Sequence, residues 1–237
     1  MKKIFFYCIV IQAIVLFHNS IFAQNSNNTL FPTVSTENIN SVQLDRFSVQ
    51  ISVLGNMAIT TYDMTFKNNE NRVLEGQMEF PLQESEQVIG YQLEVNGKMR
   101  KGVVVEKAEA RQAYEEVVNG RVDPGIVEKT QGNNYRTRLY PIPANGIKRV
   151  IITTQQTLLS SNQKYQYTLP FRSNTVLSFF EIVLEVYNDQ EPLFESDSIG
   201  NVPFENEDNI QRMVFKKQNY VITEPLKFSI PEFFKNE

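Results

Sequence analysis

Phe47, Val49, Ile51 and Val53 alternate with Ser48, Gln50 and Ser52. A period of two places the apolar set on one face of an extended chain and the polar set on the other. This commits the region to a sheet with one buried face. The same alternation resumes after Gly55-Asn56 in Met57, Ile59 and Thr61, then in Tyr62, Met64 and Phe66. Val73 to Phe80 reads as a further strand, stopped by Pro81. Val88 to Val95 and Met99 to Val105 flank Asn96-Gly97, a dipeptide suited to the tight turn of a hairpin. Ile126 to Glu128, Tyr135 to Tyr140 and Lys148 to Leu158 are expected strands. So are Tyr165 to Pro170, Phe179 to Tyr187, Arg212 to Lys216 and Leu226 to Ile230. Many short strands at regular turn spacing predict a mainly β chain, antiparallel and sandwich-like.

One stretch departs from the period of two. In Glu106 to Gly120 the apolar residues Ala110, Ala113, Tyr114 and Val117 fall at i, i+3, i+4 and i+7. This predicts one helix over about 106–119, packed on the sheet by that stripe and capped by Gly120. Glu106 is expected at the helix start, where a carboxylate suits the free N–H groups, with Lys107 solvated beside it.

The segments around this stretch resemble a known module. LEGQMEFPLQESEQVIGYQLEVNGKMRKGVVVEKAEARQAYEEVVNGR has a strand ending in Phe-Pro-Leu, two strands joined through Asn-Gly, and Glu-Lys before an Ala-x-x-x-Tyr helix. NYRTRLYPIPANGIKRVIITTQQTL adds an aromatic strand, an Ile-Pro turn and a last long strand. Over about 42–158 the chain is similar to the VIT domain, the module of vault protein and the inter-α-trypsin inhibitor heavy chains. The resemblance places Phe80, Pro81, Gly90, Glu106, Lys107, Ala110, Tyr114, Ile142 and Pro143 on signature positions, with structural roles. Gln155 and Gln156 stand where the family carries an aromatic residue, and Ala144-Asn145-Gly146 lengthens the turn. Family context implies a neighbouring A-type domain with an Asp-x-Ser-x-Ser metal motif. None of Asp45, Asp63, Asp123, Asp189, Asp197 or Asp208 opens that motif.

The N-terminus reads as an export signal. Lys2 and Lys3 precede the apolar run Ile4 to Phe17, and Ile21-Phe22-Ala23 offers a cleavage site before Gln24. The expected organisation is a signal over 1–23, a flexible linker over 24–41, the VIT-like domain over 42–159 and a β-rich extension over 160–237. That extension could continue the same sandwich. No later segment is long and apolar enough for a membrane-spanning helix. Cleavage would remove Cys8 and His18, the only cysteine and histidine. What remains then excludes histidine triads, cysteine nucleophiles and Cys/His zinc sites. It would also carry 21 basic against 27 acidic residues, two of the 23 basic ones leaving with the signal. That balance argues against nucleic acid as a partner.

Arg136 and Arg138 share a strand face and could bind an anion, or simply lie solvated with their stems over Tyr140. Glu195, Asp197, Glu205, Glu207 and Asp208 supply oxygen ligands of the type calcium takes, but without an EF-hand glycine a solvated loop is the simpler reading. Two carboxylates suffice for glycosidase chemistry, yet the chain has no Trp to form a sugar platform. The expectation is an exported, non-enzymatic scaffold or interaction module, without cofactor, that contacts a protein partner or an adjacent domain. A glycan- or calcium-binding module and a carboxylate hydrolase are the alternatives.

Overall fold

The computed structural model describes residues 32–37, 41–106, 126–130, 133–173, 175–195, 199–200 and 202–232. These form three sheets. The long sheet has eight strands. In spatial order they are β15 (Glu205–Glu207), β16 (Ile210–Tyr220), β13 (Leu177–Tyr187), β2 (Val42–Leu54), β3 (Met57–Asn68), β10 (Ile147–Thr157), β5 (Glu86–Val95) and β6 (Lys98–Lys101). The second sheet orders β1 (Thr33–Ser35), β4 (Leu74–Pro81), β9 (Asn134–Ile142), β8 (Ile126–Lys129) and β7 (Val103–Glu106). The third orders β11 (Ser160–Ser161), β12 (Lys164–Leu169), β17 (Leu226–Pro231) and β14 (Leu193–Phe194).

The long sheet buries one face, and both shorter sheets pack against it. Phe47, Val49, Ile51 and Val53 of β2 point into the core, as do Tyr62, Met64 and Phe66 of β3. On the β5 side Tyr91 meets Thr137 of β9 through a 2.8 Å hydroxyl contact. On the β13 side Leu169, Phe171 and Leu226 pack near Phe180 and Ile182. The opposite face carries polar and charged residues. Arg149 pairs there with Asp63, Lys216 with Glu181 at 3.4 Å and Arg212 with Glu185 at 3.3 Å.

Turn chemistry sets the hairpins. Gly55, at φ 58°, occupies the first central position of the β2–β3 turn, where a II′ geometry calls for glycine. Asn96-Gly97 joins β5 to β6 with positive φ at both residues, the geometry of a type I′ turn.

Several expectations change. The sheets are mixed, because β13 runs parallel to β2 and β7 parallel to β8. Met99 to Val105 is two strands. The chain leaves the long sheet after Lys101, the Gly102 N–H donates to the Tyr91 carbonyl, and β7 joins the second sheet. Glu106, expected to open a helix, is the last residue of β7 and pairs in register with Lys129. The backbone hydrogen bonds of a parallel ladder take it into the sheet. The remainder of the expected helix, 107–119 with Lys107, Ala110 and Tyr114, lies outside the described residues, as do Ala23 and Gln24. No α-helix occurs among the described residues. Glu205 to Asn209 is a hairpin and not an open loop, because Asp208 and Asn209 both take positive φ and turn β15 back onto β16. Within the stretch read as a linker, Thr33–Ser35 forms β1 against β4.

Candidate functional site

Where the three sheets meet, a carboxylate lies in the interior. Glu86 opens β5 and is 3% exposed. Its Oε1 accepts from the Tyr62 hydroxyl at 3.1 Å and from Thr154 Oγ1 at 3.4 Å. Its Oε2 accepts from the Gln83 N–H at 3.0 Å. No ion pair joins it to a lysine or arginine among the described residues.

The surrounding backbone is pinned to the same point. The Glu86 N–H donates to the Gln83 carbonyl, closing a short turn. Asn133 Nδ2 donates to the carbonyls of Gln83 and Glu86. Gln83 Nε2 reaches the Thr168 carbonyl of β12 at 2.9 Å. Tyr167, also of β12, shares a 2.8 Å hydroxyl contact with Thr60 of β3. The polar cluster thus ties the third sheet to the long one. Aromatic rings close it on the apolar side. Tyr62 sits 5.1 Å from Phe80 and 5.4 Å from Phe171 between ring centroids.

Burial raises the Glu86 carboxyl above the usual carboxylate range, and the bonds from Gln83, Tyr62 and Thr154 only partly offset it. Burial first, and then nearby negative charge, pushes the Tyr62 and Tyr167 phenols upward. The cluster is therefore closed to solvent, with a carboxyl that holds its proton more tightly than a free one and two phenols that stay protonated.

Sequence reasoning missed Glu86 because it stands in the polar run Gln83-Glu84-Ser85-Glu86-Gln87. The available signal was phase. Glu86 is two residues before Val88 and so shares its inward face. The phase then slips, for Val88 is followed inward by Tyr91 and not by Gly90. The register against β10 shifts between Thr153 and Thr154, leaving Ile89 bulged and half exposed. Gly90 sits beside that bulge, and a Cβ there would come within 3.3 Å of Thr153 Cβ.

The other signature positions are likewise built into the fold. Phe80 and Ile142 are fully buried. Pro81 ends β4 opposite Asn134. The carbonyls of Ile142 and Pro143 accept from Asn68 Nδ2, and the Pro143 carbonyl also takes the Gly146 N–H in the lengthened turn. Residues 44–155 match the family model described as the vault protein inter-alpha-trypsin domain. This segment is a VIT domain. The match ends inside β10, so the VIT domain supplies β2 to β9 and most of β10.

Curated protein sequences give no match. Among solved structures, a candidate nutrient binding protein from Legionella pneumophila is similar over 84% of this chain and 69% of its own, at 12% identity and a TM-score of 0.50. That likeness is one of fold alone. An M1 zinc metallopeptidase from Deinococcus radiodurans is 10% identical over 80% of this chain and 42% of its own, with a TM-score of 0.48.

The remaining candidates are dispersed. Arg136 pairs with Glu79 at 2.7 Å. Arg138 holds Glu75 through two 2.7 Å bonds and lies 5.4 Å over the Tyr140 ring. Both arginines are exposed on the second sheet. No three acidic, histidine or cysteine residues converge as a metal-holding group among the described residues. An open groove of about 370 Å³ lies at one end of the sheets, lined by Val53, Leu54, Tyr165, Val186, Tyr187 and Ile230. Leu54 is 68% exposed and Tyr187 45%.

Proposed function

We propose that this chain is an exported, non-enzymatic scaffold or protein-interaction module, working at the cell envelope or outside the cell. The observation that carries the reading is the VIT match over 44–155, together with the use of its signature residues as fold determinants. Phe80, Gly90 and Ile142 are built into the packing of the sheets, which leaves the exposed faces to meet a partner. Lys2, Lys3, the apolar run to Phe17 and Ala23-Gln24 support export.

Fractionation of cells expressing the full chain tests it. The chain is expected outside the cytoplasm, starting at Gln24 by intact mass, and joined to a reproducible protein neighbour by cross-linking. Cytoplasmic retention with residues 1–23 attached would defeat the export half. Turnover of peptide or glycan substrates, abolished by an exposed-carboxylate variant, would defeat the non-enzymatic half.

A further inference from the structure

The two edges of the long sheet carry opposite charge. At one edge β6 presents Lys98, Arg100 and Lys101, all exposed. At the other, β15 presents Glu205 and Glu207, followed by Asp208 in the turn, again all exposed. Each strand is paired on one side only among the described residues. None of these six side chains has an ion-pair partner there. An edge strand offers a row of free N–H and C=O groups to any other extended chain. Charge on such a strand ordinarily blocks pairing, because two like edges repel. Here that repulsion acts on β6 against β6 and on β15 against β15. It turns to attraction for β6 against β15.

We infer that the basic edge β6 of one copy pairs with the acidic edge β15 of a second copy, continuing the long sheet head to tail. Six antiparallel steps and one parallel step separate the two strands in the sheet, so they run the same way. A translated copy would therefore meet its neighbour as a parallel pair. Such a contact uses different surfaces on the two partners, so it need not close into a dimer and can extend as an open row. Only three or four residues pair on each side. The contact belongs to the small, weak class, governed by charge and sensitive to salt. The proposal does not depend on the partner proposed above. It concerns two edges of the fold and no third molecule.

Sedimentation velocity on the full chain lacking its signal tests this. At ~20 mM salt the weight-average mass should rise with concentration without levelling at a dimer, and at ~500 mM salt it should return to the monomer, as screening shortens the range of the charges. Reversing one edge with Lys98→Glu, Arg100→Glu and Lys101→Glu should weaken association by about tenfold or more. Glu205→Lys with Glu207→Lys should do the same at the other edge. Asp208 is left in place because its φ of 50° suits Asp. Each altered chain then carries two edges of one sign, and an equimolar mixture of the two should associate again. Unchanged melting temperatures confirm that the substitutions leave the fold alone. The inference is overturned if the chain stays monomeric at low salt up to ~1 mM, a concentration at which a contact of only about 4 kcal/mol would already be half formed. It is equally overturned if both reversals leave association intact, which would move it to another face such as the groove at Leu54 and Tyr187. Failure of the mixture to recover would overturn it as well.

Discussion

The Tyr62 hydroxyl donates to the Glu86 carboxyl over 3.1 Å, with both side chains sealed in the interior. Tyr62 reaches it from β3 in the middle of the long sheet, and Glu86 opens β5. Removing only the hydroxyl, in Tyr62→Phe, keeps the ring contacts with Phe80 and Phe171 but leaves Oε1 with the long Thr154 bond alone. The expected loss is about 1–3 kcal/mol, the cost of a poorly satisfied buried acceptor. Urea denaturation of the two chains measures it. Equal midpoints would mean that the carboxyl finds another partner in solution.

The same carboxyl gives stability a pH dependence of known sign. Its folded value lies above the ordinary carboxylate value because burial disfavours the charged form. On rising pH the unfolded chain therefore releases this proton first. Between the two values the folded state holds more protons, and stability falls as pH rises through that window. The groups facing Glu86 are Tyr62, Thr154 and the Gln83 N–H, with Tyr167 nearby. Both phenols are held protonated, so they do not confuse the window. Glu86→Gln removes the titration. The stability of this variant relative to the parent should increase from about pH 4, the free carboxylate range, towards neutrality. A difference that stays flat with pH would show that Glu86 ionises as an ordinary surface acid.

Phe80 and Gly90 test whether the VIT signature is structural. Phe80→Ala removes a ring that touches Tyr62 and Phe171. It should cost about 3–5 kcal/mol, as other aromatic deletions in cores do. Gly90→Ala brings a Cβ to 3.3 Å from Thr153 Cβ at the β5 bulge, and should cost about 1–3 kcal/mol through overpacking. Thermal melts read both. A Phe80→Ala chain that melts like the parent would promote the signature to a binding role.

Local patterning made most strands legible. Phe47 to Val53 alternates cleanly because one face of β2 is buried and the other wet, and Asn96-Gly97 announces its own turn. The failures have physical causes. Met99 to Val105 keeps a continuous strand-like composition while the chain changes sheets at Gly102, and nothing in a period of two records which sheet a strand joins. The parallel pairing of β13 with β2 joins Phe179–Tyr187 to Arg46–Leu54, a contact too distant in sequence for any local signal. Glu86 was hidden by its polar neighbours. Only its phase with Val88 pointed inward, and the bulge at Ile89 obscures that phase for the rest of the strand. The VIT signature residues were legible as a family pattern, but their spatial meaning came from the packing.

That long-range pairing makes the last expectation. The VIT match stops at 155, yet β2 has its parallel neighbour β13 outside it, in register over nine residues. Phe180, Ile182, Leu184 and Val186 of β13 are buried on the face they share with Phe47, Val49, Ile51 and Val53. Tyr167 and Phe171 cover that face and also come from beyond the match. A chain ending after Leu159 would expose the edge of β2 and this apolar face together. Open edges next to uncovered apolar surface favour aggregation. The truncated chain, 24–159, should be recovered as aggregate or as a species without a cooperative thermal transition, while 24–237 melts cooperatively. Light scattering and circular dichroism distinguish the two. A soluble, cooperatively melting 24–159 fragment would show that the VIT segment folds alone and that the β-rich extension is an attachment to it.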